Sequence, residues 1–397
     1  MNSTKLNFKD FALLAVSTLT VLASATIAPS LPYIAQSLSN SEHAQFWAQL
    51  GLCIPGIVVA LSAAWIGKIT ANKNSYSGLM IALASYGVLG CAYLLAPTQI
   101  LVLLLSRGAL GFCVAAIMIL TTVSLIKGKS AALGQQLLGY QAAAGGFGGV
   151  LYMFLANQLT LWFGLAPFGL YAIAWVFALL LWQSQRRATK DAPEKDLPES
   201  RTQDHQVSRG FVPGFFLFAT LAAIEMLALY ALVLQIPLLT TTTPYHLSSG
   251  LTLAVLCMSI TAAYYGFFQR YMQIETQHML GMMIVAIGFA ILGLAGETIK
   301  LITLVISLCI VGLGLGLLRP NLIAWLFSTV SPSLRQPAMG KLTAVFFLAQ
   351  FFAPMFVYPI TEKLGLSAMW LILASATLGA AAVIFVARFK TYVNANE

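Results

Sequence analysis

Charge is what this chain has least of. Only 8% of its residues are Asp, Glu, Lys or Arg against 59% apolar, so it could not cover a water-facing surface with polar groups. Cysteine offers no chemistry either. Cys53, Cys91, Cys113, Cys257 and Cys309 all fall inside apolar runs with no CxxC spacing, which argues against a disulfide framework, a redox pair or a thiolate metal site. No HExxH occurs, and His43, His205, His246 and His278 read as loop or linker residues. A membrane-embedded enzyme is thereby left without metal ligands or a nucleophile and base. Acids are scarcest of all within the apolar runs, where Glu225 is the one carboxylate expected at depth.

Apolar runs of about twenty residues are abundant, each long enough to cross some 30 Å of hydrocarbon as a helix. Six precede the polar stretch 183–209 and six follow it. The spans are expected over 11–34, 46–67, 76–95, 100–126, 134–161 and 167–182, then 211–239, 251–267, 279–294, 301–327, 342–360 and 368–389. The expectation is an all-α membrane protein with twelve transmembrane helices in two pseudo-symmetric six-helix bundles, 1–182 and 210–397, joined by a cytoplasmic linker, 183–209. Ala63-Ala64-Trp65-Ile66-Gly67 recurs as Ala262-Ala263-Tyr264-Tyr265-Gly266 at the close of the second and eighth spans, consistent with duplication. The LASA at 22–25 could pass for a cleavage site, but the apolar run continues to Ile34, so an uncleaved first helix is expected, bent at Pro29 and Pro32.

The net charge of +9 bears on orientation rather than on nucleic acid. With a cytoplasmic N-terminus, the basic residues of the linker and of most polar connections share one face, and only Lys300 and Lys363 fall on the other. The positive-inside bias then places both termini and the linker in the cytoplasm of a bacterial inner membrane, against anionic lipid.

Three ionised side chains interrupt the runs: Arg107 in the fourth span, Glu225 in the seventh and Arg319 in the tenth. A charge at mid-membrane costs about 2.5–3.5 kcal/mol on the insertion scale, so such residues mark a pathway or an interhelical bolt. Glu225 can exchange a proton, and burial and a nearby arginine act on its proton affinity in opposite senses. Two arginines against one carboxylate favour an anionic or carboxylate-bearing substrate gripped bidentately. Tyr140, Gln141, Tyr230, Asn321 and Gln350 could orient a substrate or bond helix to helix. The glycines of span five lack the strand and Lys-Ser/Thr of a phosphate loop and read as packing. Gly312, Gly314 and Gly316 before Pro320 read as flexibility, with a bend at the proline.

Arg107, Gly111 and Ala115, with Ala116, follow an R-x-x-x-G-x-x-x-A pattern. Gly145 to Gly149 is similar to the glycine-rich motif of antiporters, without its usual proline. Ala64-Trp65-Ile66-Gly67-Lys68 partly matches G-W-L-A-D-R-x-G-R-R, with Lys68 in place of the acid and Ile69 in place of the arginine. With the twelve-span topology, these features resemble the major facilitator superfamily, in its twelve-helix drug/proton antiporter branch. The resemblance implies that helices 1, 4, 7 and 10 line a cavity between rocking halves, with Trp65, Gly67, Lys68, Gly145, Gly149 and Pro320 at gating positions. The function expected is proton-coupled, alternating-access export of a small organic molecule such as a metabolite, siderophore or drug. Proton symport for uptake and broad efflux of lipophilic or cationic compounds are the alternatives, and a pore or a degenerate sensor the competing classes. The expected partners are substrate, protons and lipid, with a monomeric chain, no nucleic acid and no cofactor beyond the proton gradient.

Overall fold

In a bilayer, backbone groups must bond within their own segment, and helix is what every apolar run becomes in the computed structural model. The structure describes residues 7–70, 75–127, 129, 131–191, 214–239, 248–296, 299–331 and 334–396, and these contain no strand. The chain divides into two compact units, Met1–Arg209 and Gly210–Glu397.

In the first unit the opening span is broken into α1 (Phe8–Ser17), α2 (Leu19–Ala25), a 3-10 turn (Ala28–Ser30) and α3 (Leu31–Ser37). The break comes earlier than the prolines predict. Ser17, Thr18 and Thr20 each bond the carbonyl three residues back, and Thr26 bonds that of Leu22, back-bonding that bends helices. Pro29 and Pro32 instead sit at the starts of the short helices, where a missing N–H costs nothing. Next come α4 (Ala44–Thr70), α5 (Ser75–Cys91), α6 (Ile100–Ile126), α7 (Ala131–Phe163), a 3-10 stretch (Ala166–Ala172) and α8 (Ile173–Asp191). Helix α8 therefore carries the expected linker's first nine residues, 183–191, as helix.

Small residues set the approach of these helices. A Cβ on Gly111 of α6 would lie 2.8 Å from the Pro55 carbonyl oxygen of α4, and one on Gly148 of α7 would lie 2.9 Å from Thr18. The Thr18 hydroxyl meets that of Tyr152 at 2.7 Å, and the Tyr86 hydroxyl donates to the Leu19 carbonyl at 2.7 Å.

The second unit comprises α9 (Phe215–Leu239), α10 (Ser248–Ala263), α11 (Tyr265–Tyr271), α12 (Ile274–Leu294), α13 (Leu301–Thr329) and α14 (Arg335–Asn396). Helices α10 and α11 meet at a 50° bend at Tyr264, whereas the matching pentapeptide in α4 stays straight-through helix. The glycines of α13 are packing surfaces rather than flexible points. Gly312 and Gly316, one turn apart, press on the Ala254 and Met258 carbonyls of α10, while Gly314 faces Gly281 and Val285 of α12. Pro320 leaves α13 uninterrupted. The ring of Phe289 stacks on Trp370 at 5.4 Å and ties α12 to α14.

Helix α14 is two spans joined through one residue, Gly365, at φ 83° and ψ 164°. That conformation is essentially closed to residues with a Cβ, at a cost of about 1–3 kcal/mol. A Gly365→Ala variant is expected to unfold at a lower temperature than wild type, read by thermal denaturation in detergent.

Nine helical segments among the described residues are long and apolar enough to cross a bilayer, with the bent α10–α11 pair a possible tenth. One of the nine runs through Gly365 and so supplies two spans. Helix α7, at 33 residues, is long enough but not apolar enough to be counted among them; with it the helical spans number the twelve expected.

Candidate functional site

Arg107 sits in α6 at 1% exposure. Its acceptors are carbonyls that helix geometry has left over. Pro55 has no N–H, so the Gly51 carbonyl four residues earlier loses its helical partner. Arg107 Nε donates to that carbonyl at 3.3 Å. Ala23 lies in the last turn of α2, where carbonyls are orphaned and the helix end is partially negative, and Arg107 Nη2 donates to it. Nη1 donates to the Tyr171 hydroxyl at 2.7 Å, and that hydroxyl donates to Ala23 at 2.9 Å. The guanidinium thus joins α2, α4, α6 and the 3-10 stretch before α8. Buried and supplied with neutral acceptors on every nitrogen, Arg107 ties four elements of its unit together.

The charged pair of the second unit is arranged differently. Glu225 of α9 is buried, and its Oε1 lies 3.6 Å from Nε of Arg319 on α13, with side-chain exposures of 5% and 45%. Its second oxygen, Oε2, has no hydrogen-bond partner among the described residues. Arg319 Nη2 reaches the Met226 thioether at 3.4 Å, and its guanidinium carbon lies 4.6 Å over the ring of Phe346 on α14. The contact is looser than a bidentate fork of about 2.7–2.9 Å, so the guanidinium keeps donors in hand. Gln350, one turn beyond Phe346, is buried on the same face of α14.

The other sequence candidates scatter. Asn321 is fully buried and lies about 200° round α13 from Arg319. It neighbours the His278 ring of α12, itself 5.8 Å from the Trp325 ring, so Asn321 does not join the Glu225–Arg319 group. His278 is a buried helix residue, not a loop residue. His43 lies in the connection before α4, and His205 and His246 fall outside the described residues. Gln141 of α7 is engaged with Thr121 and Thr122 of α6 at 3.1–3.5 Å, which is helix-to-helix bonding. Tyr140 is exposed on α7 and Tyr230 buried on α9.

Among the positions singled out for gating, Trp65 is exposed and packs edge-on to Phe112 at 5.6 Å. With Val58, Leu61 and Ser62 these rings line a shallow groove on α4 and α6. Gly67 and Lys68 lie in the last turns of α4, but their surroundings fall outside the described side chains. Gly145 and Gly149 of α7 approach Val21, at 3.9 Å and 3.0 Å from a hypothetical Cβ.

Several participants were invisible in sequence. Met226 and Phe346 are apolar residues in apolar runs. Asp10 sits in the first turn of α1 at 5% exposure and pairs with Lys129 at 3.0 Å. Its capping contact with Asn7 was the available signal. Among the described residues, no group of three or more His, Cys, Asp or Glu could hold a metal ion.

The chain's fold has solved counterparts. It resembles the POT family transporter PepTSo at 12% identity and TM-score 0.77, covering 98% of this chain and 99% of that one. It also resembles the xylose transporter XylE from E. coli in its inward open conformation, at 16% identity and TM-score 0.72, covering 95% of each. A D-xylose-proton symporter matches at 14% identity and TM-score 0.74 over 94% of this chain and 97% of that one. Among curated proteins, sequence comparison finds no relative. The family model of the Major Facilitator Superfamily matches residues 13–298, and on that match, which spans well over half its length, the chain belongs to the Major Facilitator Superfamily of multi-pass membrane transporters.

Proposed function

We propose that this transporter couples proton movement to the alternating-access transport of a small organic anion, with Glu225 taking and releasing the proton and Arg319 taking the substrate's negative group. The observation that carries this reading is the unequal pair itself. A buried carboxylate with one oxygen unpartnered stands 3.6 Å from a guanidinium whose side chain is 45% exposed. When Glu225 is ionised it holds Arg319; when Glu225 is protonated, Arg319 is released to an incoming anion. Protonation of Glu225 thereby raises the affinity of Arg319 for the anion, and the anion raises that of Glu225 for the proton, a reciprocal coupling that on its own carries the two together. Export by antiport is the reading that the likeness of the glycine-rich stretch of α7 to the antiporter motif supports. Both termini and the polar stretch between the units face the cytoplasm in this reading, and the chain acts as a monomer.

The second reading is proton symport for uptake, which the sign of that coupling and the fold's likeness to a D-xylose-proton symporter support. Proteoliposomes separate the two. An imposed pH gradient is expected to drive 2-naphthalenesulfonate, a permanently charged probe, against the direction of proton flow for antiport and with it for symport. In Glu225→Gln, gradient-driven accumulation is expected to fall to the level of protein-free vesicles while probe exchange at equal pH persists. Gradient-driven accumulation in Glu225→Gln equal to wild type removes the proton role from this residue.

A further inference from the structure

The surroundings of Arg319 say more about its anion than charge alone. One face of the guanidinium is covered: its carbon lies 4.6 Å over Phe346, a ring only 6% exposed. One end is turned to the soft sulfur of Met226 at 3.4 Å. Its contact with Glu225 is through Nε, at a distance too long for a closed fork. The side chain is nonetheless 45% exposed, so Glu225, Met226 and Phe346 do not close it off. Guanidinium planes stack on aromatic rings and present rigid donors to oxyanions, which a lysine ammonium cannot do.

Two of the groups against Arg319 are apolar. Phe346 and Met226 flank the charge, Asn321 lies about 200° round α13 from it, and the polar groups at hand are Glu225 and, one turn beyond Phe346, the buried Gln350. A polyhydroxylated body would find few hydrogen-bonding partners here. A flat apolar one would find a stacking surface.

We infer that Phe346 is a positioning residue that props the Arg319 guanidinium open, and that the anion received there carries an aromatic or similarly flat apolar body. Without the ring beneath it, the guanidinium is free to close onto Glu225 as a fork, and the donor edge is lost to substrate. The inference rests on the assignment of Arg319 to anion binding but not on proton coupling by Glu225.

Binding to the purified full-length chain, read as ligand-induced thermal stabilisation, tests it without a proton gradient. 2-Naphthalenesulfonate is expected to stabilise wild type, and gluconate, of equal charge but with a hydroxylated body, is expected not to. Phe346→Leu should weaken the naphthalenesulfonate response about tenfold, the size of a cation–π contact, and Phe346→Tyr should restore it. Should Phe346→Leu fail to fold, Arg319→Lys serves in its place, with the preference for naphthalenesulfonate over methanesulfonate expected to vanish. Equal stabilisation by gluconate and naphthalenesulfonate, wild-type binding in Phe346→Leu, or an undiminished aryl preference in Arg319→Lys would each overturn the inference. Intact aryl preference with no gradient-driven transport would sink the proton-coupling role and leave this one standing.

Discussion

Replacing Arg107 by methionine is expected to cost this transporter most of its folded yield, with a far lower unfolding temperature in what remains. Methionine approximates the stem of arginine but donates nothing. The Gly51 carbonyl, already deprived of its helical partner by Pro55, would be buried without any bond. Ala23 would lose one of its two donors, and Tyr171 an acceptor role. An unsatisfied buried acceptor costs about 1–3 kcal/mol, and a bond to a charged donor contributes about 1.5–3 kcal/mol. Several such losses in one place approach the stability of a whole domain, about 5–15 kcal/mol. Thermal denaturation with size-exclusion recovery reads the result. A methionine variant as stable as wild type that has lost only ligand-induced stabilisation would restore Arg107 as a substrate residue.

The second large effect is expected at Gly316. Its hypothetical Cβ stands 2.4 Å from the Met258 carbonyl oxygen, and that of Gly312 stands 2.3 Å from the Ala254 carbonyl oxygen. Both obstacles are helical backbone, which cannot rotate aside as a side chain can. Even one added methyl must push α10 away from α13, an overpacking cost of about 1–3 kcal/mol, and Gly316→Leu should exceed that range. Gly379→Ala supplies the contrast, because nothing lies within 4 Å of its added Cβ and alanine favours helix by about 1 kcal/mol. Loss of monodisperse protein for Gly316→Leu, beside wild-type behaviour for Gly379→Ala, is the expected pair of results. Wild-type behaviour of both would mean that the two helices are not held at backbone contact.

Hydropathy located the spans well because lipid leaves a long apolar run few alternatives to helix; the fourth span coincides with α6 at both ends. It located ends poorly where protein, rather than lipid, covers polar residues. Gln277 and His278 follow a polar run and read as loop, yet α12 begins at Ile274 and buries both. The charged tail of α8 continues as helix to Asp191 for the converse reason, since a helix can extend beyond the hydrocarbon. At the candidate site the two charges were legible because membranes punish isolated charge. Their partners were not: one apolar residue among many carries no mark showing that it lies under a guanidinium. Span counting placed Arg107, Glu225 and Arg319 in one class; the leftover carbonyls of Gly51 and Ala23 separate the first from the other two.

The join at Gly365 has a practical side. A connection of one residue offers a protease no extended strand to cleave and an epitope tag no slack in which to sit. Reporters of sidedness inserted between the last two spans would therefore disturb the very arrangement they were meant to read, and belong at the chain's ends or in the stretch between its two units.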